Sequence, residues 1–241
     1  LELALEVGSL GGESLGTQIA HAWDFAACAE TFLALKLEDE PKPEVASWAR
    51  ADITASGPTR FLDLGSGGGL PGLVLALHWQ RSEAVLLDGN LRKAVALRKA
   101  VDTCGWANRV RVVHSRAEVA ARSDLRSAFD LVVARSFGPP PVTAECAAPF
   151  LRRGGLLVVS EPPVDLAPGS NVGACVSNPD RWPPEGLAVV GLEAIAGWRR
   201  RFGYQVLRQI LSCPTRFPRR VGVARKRPIY KVSSTGTSRD G

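Results

Sequence analysis

Residues 61 to 72 read Phe-Leu-Asp-Leu-Gly-Ser-Gly-Gly-Gly-Leu-Pro-Gly, and no other stretch narrows the possible folds as much. A short apolar run carries the acid Asp63, glycines follow at 65, 67, 68, 69 and 72, and an apolar, helix-like run begins. That order predicts a strand, a tight turn and a helix start. Glycine has no Cβ, so the turn can take positive φ and bring backbone close to a ligand. Pro71 falls where its fixed φ suits a first helical turn. In α/β sheets, a turn at the C-terminal end of a strand is where nucleotide-like molecules bind.

The glycines satisfy G-x-G-x-G at Gly65, Gly67 and Gly69, and also the dinucleotide pattern G-x-G-x-x-G at Gly67, Gly69 and Gly72. Asp63 helps to choose between them. A carboxylate there repels a pyrophosphate, so the turn suits a cationic or zwitterionic ligand such as S-adenosylmethionine better than NAD, and Asp63 is itself a candidate for binding that cofactor. A second buried-strand pattern, Ala84 to Leu87, ends in Asp88. An acid at the end of the second strand of a nucleotide-binding unit bonds ribose hydroxyls. Asp88 is therefore a ribose candidate, or a helix cap ahead of Arg92 and Lys93, or both.

Further along, the pattern predicts helices over 13–37, 44–51, 71–79, 91–104, 117–127 and 142–152. It predicts strands over 60–64, 84–88, 109–114, 129–134 and 156–160, with a strand-like run over 204–211. Residues 163–185, rich in Pro, Gly and Asn, read as loop. Strands alternating with helices predict an α/β fold, a parallel sheet with helices on both faces. The 241 residues fit one such domain with an appendage. We place an N-terminal helical extension at 1–57, the Rossmann-like domain with basic C-terminal strands at 58–231, and a disordered tail at 232–241.

Charge is distributed unevenly. Residues 1–60 carry ten acids against four bases, whereas residues 199–231 carry eleven bases and no acid. A one-signed block of that kind is the footprint of a polyanion-binding surface or a solvated tail. Phe202, Tyr204, Phe217 and Tyr230 are interleaved with the arginines, as aromatics that stack on unpaired bases would be. The five cysteines form no C-x-x-C pair and the three histidines are scattered, so no metal is expected. Thiols without a disulfide framework, and an acidic Leu1 to Glu6 unlike a secretory signal, point to the cytoplasm. No apolar run approaches membrane-spanning length.

Four segments, Asp63–Gly72 (DLGSGGGLPG), Leu86-Leu87-Asp88, Arg116-Ala117-Glu118 and Phe129–Phe137 (FDLVVARSF), occur in that order. With Phe217-Pro218-Arg219-Arg220-Val221-Gly222 and the later Lys226-Arg227-Pro228, they resemble the RsmG (GidB) family of 16S ribosomal RNA guanine-N7 methyltransferases. The resemblance runs over roughly residues 15 to 230. It implies a class I S-adenosylmethionine-dependent methyltransferase fold acting on ribosomal RNA or a small-subunit particle, and we expect a monomer. Gly65, Gly67 and Gly69 would then hold the methionine moiety, Asp88 the ribose, and Ala117 and Glu118 the adenine. Arg135, Arg219 and Arg220 would serve RNA, with Arg135 orienting the target guanine. The bland role for Arg135 is a salt bridge to Asp130 or Glu145. Where the family carries Lys-Gly after the fifth strand, this chain has Ser160-Glu161-Pro162-Pro163, and a free acid there would repel phosphate.

Guanine N7 has a free lone pair, so no base need remove a proton before attack, and the sequence offers no general-base constellation. Three other readings stay open. One is an RNA-binding protein that kept the fold without catalysis. Another is a methyltransferase with a small-molecule acceptor. The third, an NAD-dependent oxidoreductase, leaves the basic block unexplained.

Overall fold

A computed structural model describes residues 14–34, 57–162, 173–175 and 177–232. The helix expected over 44–51 and the tail from residue 233 lie outside these residues.

The central element is β1 (Arg60–Leu64), whose Phe61, Leu62 and Leu64 are fully buried, as expected of a strand covered on both sides. It pairs in parallel with β2 (Glu83–Asp88) and β4 (Phe129–Ala134). Outward from these, β3 (Val110–His114) pairs with β2 and β5 (Leu151–Glu161) with β4, both in parallel. β8 (Gly203–Gln209) then reverses direction against β5, with Glu161 opposite Gly203. The hairpin partner β7 (Leu192–Arg199) and the short β6 (Gly173–Cys175) complete an eight-stranded sheet in the order β3-β2-β1-β4-β5-β8-β7-β6.

Strand alternation sends successive side chains to opposite faces. Phe61, Leu86, Leu131, Val158 and Val206 meet one helical layer, while Leu62, Leu87, Val132, Leu157 and Leu207 meet the other. α1 (Leu15–Leu33) begins at Ser14, whose side chain accepts from the Thr17 amide at 3.2 Å. Its buried residues Phe25, Ala26, Cys28, Ala29 and Phe32 enter the first layer with α2 (Gly72–His78) and α3 (Leu91–Thr103). This helix packs into the domain core.

The opposite layer holds α4 (Ala117–Ala120), α5 (Pro140–Ala147) and α6 (Pro184–Ala188), with α7 (Val223–Lys226) near the chain end. Three of these elements differ from expectation. The helix expected over 117–127 stops at Ala120, because the Ser123 hydroxyl bonds the Ala120 carbonyl and the Leu125 amide, diverting backbone groups a helix would use. The helix expected over 142–152 gives way to a 3₁₀ turn at Ala148–Phe150 that contains Pro149, and β5 begins directly after it. Within the expected loop, β6 and α6 form; Pro184 stands at the start of α6, a favoured helical position.

Candidate functional site

Two strand ends and one turn create the site. The Gly65 and Ser66 amides both donate to the Leu87 carbonyl, at 2.8 and 3.0 Å, locking the glycine turn to the end of β2. Gly65 has φ +77°, and a Cβ there would stand 2.8 Å from the Phe137 ring. Any side chain at this position would therefore block the gap between turn and ring. Asp88 ends β2, between the cleft-lining Leu87 and Gly89. Its Oδ2 accepts from the Gly67 amide at 2.8 Å and its Oδ1 from the Asn90 amide at 2.7 Å. The helix cap proper is Asn90, whose side chain accepts from the Lys93 amide. A carboxylate offers about four lone-pair positions, so Asp88 retains acceptor capacity for vicinal hydroxyls.

Asp63 takes a different place from the one the sequence suggests. It points away from the cleft, beneath the turn, 1% exposed, and its Oδ2 accepts from the Gly72 amide at 2.9 Å. A Cβ on Gly72 would collide with that carboxylate. Burial raises the Asp63 pKa to about 6, against the opposing pull of the Gly72 amide and the Arg135 guanidinium. Strand alternation explains the placement: Leu62 and Leu64 face the cleft layer, so Asp63 faces the other.

The cleft encloses about 220 Å³ at the C-terminal ends of β1, β2 and β3, between Leu64, Gly65, Gly89 and Ala117 on one side and Phe137 and Val142 on another. Ser115 also lines it, and Glu118, 6% exposed, supplies a carboxylate. Leu64, Gly65, Ala117 and Glu118 thus meet in one cleft, whereas Gly67, Gly69 and Asp88 lie beside it without lining it.

The remaining wall is formed by Gly222, Ala224 and Arg225, more than a hundred residues beyond Ala117. These belong to a strap, residues 213–227, that crosses the second helical layer. Arg126 donates to the Cys213, Pro214 and Phe217 carbonyls, and Arg122 to that of Pro218. Arg219 forms a two-pronged ion pair with the wholly buried Glu145, at 2.9 Å (Nε to Oε1) and 2.5 Å (Nη2 to Oε2). The Gly222 amide donates to Glu118 Oε1 at 3.1 Å. Arg219 is thus committed to an internal pair, whereas Arg220, Arg225, Lys226 and Arg227 are exposed. Sequence reasoning missed Gly222 and Arg225 as site residues, since nothing local in their neighbourhood reports the fold that brings them to β3.

The interleaved aromatics are mostly core. Tyr204 and Phe217 are buried, the half-buried Phe202 packs on His21 at 4.4 Å between ring centroids, and Tyr230 sits against Gly186. Arg135 leaves β4 toward α1, where its Nη2 donates to Gln18 Oε1 at 3.1 Å. Asp130 pairs with Arg152 and Glu145 with Arg219, so neither salt bridge considered for Arg135 forms. Arg135 and burial together lower the His21 pKa to about 4, burial being the larger cause. Glu161 is not a free acid: Arg181 Nε and Trp182 Nε1 bond its two oxygens at 2.6 and 2.8 Å. Its repulsion of phosphate is accordingly offset. Arg200 and Arg201, at the β7–β8 turn, are exposed on this same edge of the sheet, as the pairing of Glu161 with Gly203 requires.

Among the described residues no helix is long and apolar enough to cross a membrane, and no cluster of His, Cys, Asp or Glu could hold a metal.

Comparison with known proteins bears on this arrangement. The family model described as GidB, rRNA small subunit methyltransferase G, matches residues 47–161. A relative from Syntrophomonas wolfei called ribosomal RNA small subunit methyltransferase G is 30% identical over 177 residues, covering 71% of this chain and 77% of its own. A Rubrobacter xylanophilus protein of the same name is 34% identical over 174 residues, covering 70% and 65% respectively. Among solved structures, a Klebsiella pneumoniae protein assigned as an O-methyltransferase superposes with a TM-score of 0.52 over 88% of each chain at 16% identity, a likeness of fold. The chain therefore belongs to the ribosomal RNA small subunit methyltransferase G family.

Proposed function

We propose that this protein is an S-adenosylmethionine-dependent methyltransferase that transfers a methyl group to N7 of a guanine in 16S ribosomal RNA. The observation that carries the reading is a cleft of about 220 Å³ at the C-terminal strand ends, beside the glycine turn, whose outer wall is a segment studded with exposed bases. Family membership supports the same conclusion.

In this reading the Gly65, Gly67 and Gly69 turn takes the methionine end, Asp88 accepts from the ribose hydroxyls, and Ala117 and Glu118 flank the adenine. S-adenosylmethionine, when bound, supplies a methyl group already activated by its sulfonium. Guanine N7 needs no deprotonation, so the work of the chain is orientation and charge. Arg135, at the end of β4 and steadied by Gln18, has a guanidinium suited to guanine O6. Asp63 acts indirectly, by fixing the glycine turn through Gly72.

Arg219, being tied to Glu145, is assigned to the strap, and the phosphate contacts to Arg220 and its exposed neighbours. The pairing of Glu161 with Arg181 and Trp182 removes the main argument for a small-molecule acceptor. The protein works as a monomer in the cytoplasm, on ribosomal RNA or a small-subunit particle. The test is transfer of tritiated methyl from S-adenosylmethionine to small-subunit RNA from a strain lacking this protein, with the labelled nucleotide mapped. Label at guanine N7 supports the proposal, and absence of label from every RNA and particle tested overturns it.

A further inference from the structure

Glu145 is an unusual group for its position. It is an acid on α5, completely buried, and the geometry of its partner explains why the fold tolerates it. Its Oε1 accepts from the Arg219 amide at 3.0 Å and from Nε at 2.9 Å, while Oε2 takes Nη2 at 2.5 Å. That Nη2 donates also to the Arg227 carbonyl at 2.6 Å. One guanidinium therefore joins the two ends of the loop 219–227 and fixes both to α5. The middle of that loop supplies Gly222, Ala224 and Arg225 to the cleft. Gly222 in turn meets Glu118, the carboxylate on the opposite wall. Cys146, next to Glu145, lines the cleft as well.

We infer that Glu145 and Arg219 are positioning residues for the cofactor, holding the strap as the wall that closes the adenosine end of the cleft. The inference rests on the proposed cofactor and goes beyond it, since neither residue touches the cleft and both act through the loop between residues 219 and 227. Removing one partner changes more than one bond. Without the Arg219 side chain the charge of Glu145 is left inside the protein with only the backbone amide of residue 219 to meet it, and the loop loses its tie to the Arg227 carbonyl. Without the Glu145 charge the guanidinium keeps solvent access, so the loop loosens with less disruption.

The test uses the intact chain with S-adenosylhomocysteine and 5′-methylthioadenosine, the second carrying only the adenosine half. Binding is measured by calorimetry for the wild type, Glu145→Gln and Arg219→Gln, well below each protein's melting temperature. Hydrogen exchange is followed on the same samples. Glu145→Gln is expected to weaken both ligands by about tenfold and Arg219→Gln by more, because in each case the wall is held less firmly. Exchange should rise in residues 213–227 and stay unchanged in β1 and β4. In the wild type, S-adenosylhomocysteine should slow exchange at residues 218–226, a readout that needs no variant to fold. Unaltered affinity in a folded Glu145→Gln protein, or no ligand-induced protection of 218–226, overturns the inference while leaving the cofactor reading intact. A wild type that binds neither ligand overturns the cofactor reading and this inference with it.

Discussion

Asp63→Asn isolates the energetic role of the acid under the glycine turn. The wild-type carboxyl is 1% exposed, and burial pushes its pKa from 3.8 to about 6. A raised pKa means that the folded chain holds this proton more tightly than the unfolded chain does. The stabilising contribution is then fully present below about pH 3.8 and is lost as pH rises through about 6. The shift is about two units, each worth about 1.4 kcal/mol, so the ionised group costs the native state roughly 3 kcal/mol at neutral pH. An amide has nearly the same shape, can still accept from the Gly72 amide, and carries no charge. Urea unfolding of both proteins at a series of pH values from about 4 to about 7.5 gives the comparison, since the other carboxylates cancel in the difference. Wild type minus variant should fall by about 2.5 kcal/mol across that range. A difference that stays flat with pH would refute the claim that Asp63 is held partly protonated beneath the turn.

Other changes test the rest of the site. Asp88→Ala should weaken S-adenosylhomocysteine binding by about tenfold or more in calorimetry, since the ribose acceptor is lost along with the partner of the Gly67 and Asn90 amides; unchanged affinity would contradict the ribose role. Gly65→Ala should lower stability in urea by about 1–3 kcal/mol, because φ is +77° and the new methyl meets the Phe137 ring. The combined change Arg220→Gln with Lys226→Gln should reduce RNA affinity and lower the slope of log K against log salt by about one for each phosphate that is no longer neutralised, with cofactor affinity preserved. An unaltered salt slope would remove these residues from the RNA surface.

Much of the sheet was legible in the chain because its strands are covered on both sides. Phe61 to Leu64, Ala84 to Leu87 and Phe129 to Ala134 are apolar runs closed by turn residues, and each became a strand within one residue of its expected limits. The glycine turn and the acid of Asp88 were legible for a similar reason, since backbone conformation and strand ends leave local marks. β7 was not legible. A register shift between Ala194 and Ala196 breaks its alternation, so Leu192 and Ala196 serve opposite faces of the sheet.

The site was half legible. Ala117 and Glu118 follow a strand and could be placed by resemblance, but the wall facing them comes from Gly222 to Arg225. No local pattern records that Glu145 will meet Arg219, or that Glu161 will meet Arg181 and Trp182. By composition alone Arg219 is one more base and Glu161 one more acid. Tertiary pairing gave both a different electrostatic meaning, and it turned Tyr204 and Phe217 from candidate stacking platforms into core.

The most direct measurement is a crystal structure of the protein with S-adenosylhomocysteine. Density is expected in the cleft between Gly65 and the strap, with the ribose hydroxyls on Asp88 and the adenine between Ala117 and Gly222. Density for the ligand elsewhere, or a cleft that takes a nicotinamide dinucleotide instead, would contradict it.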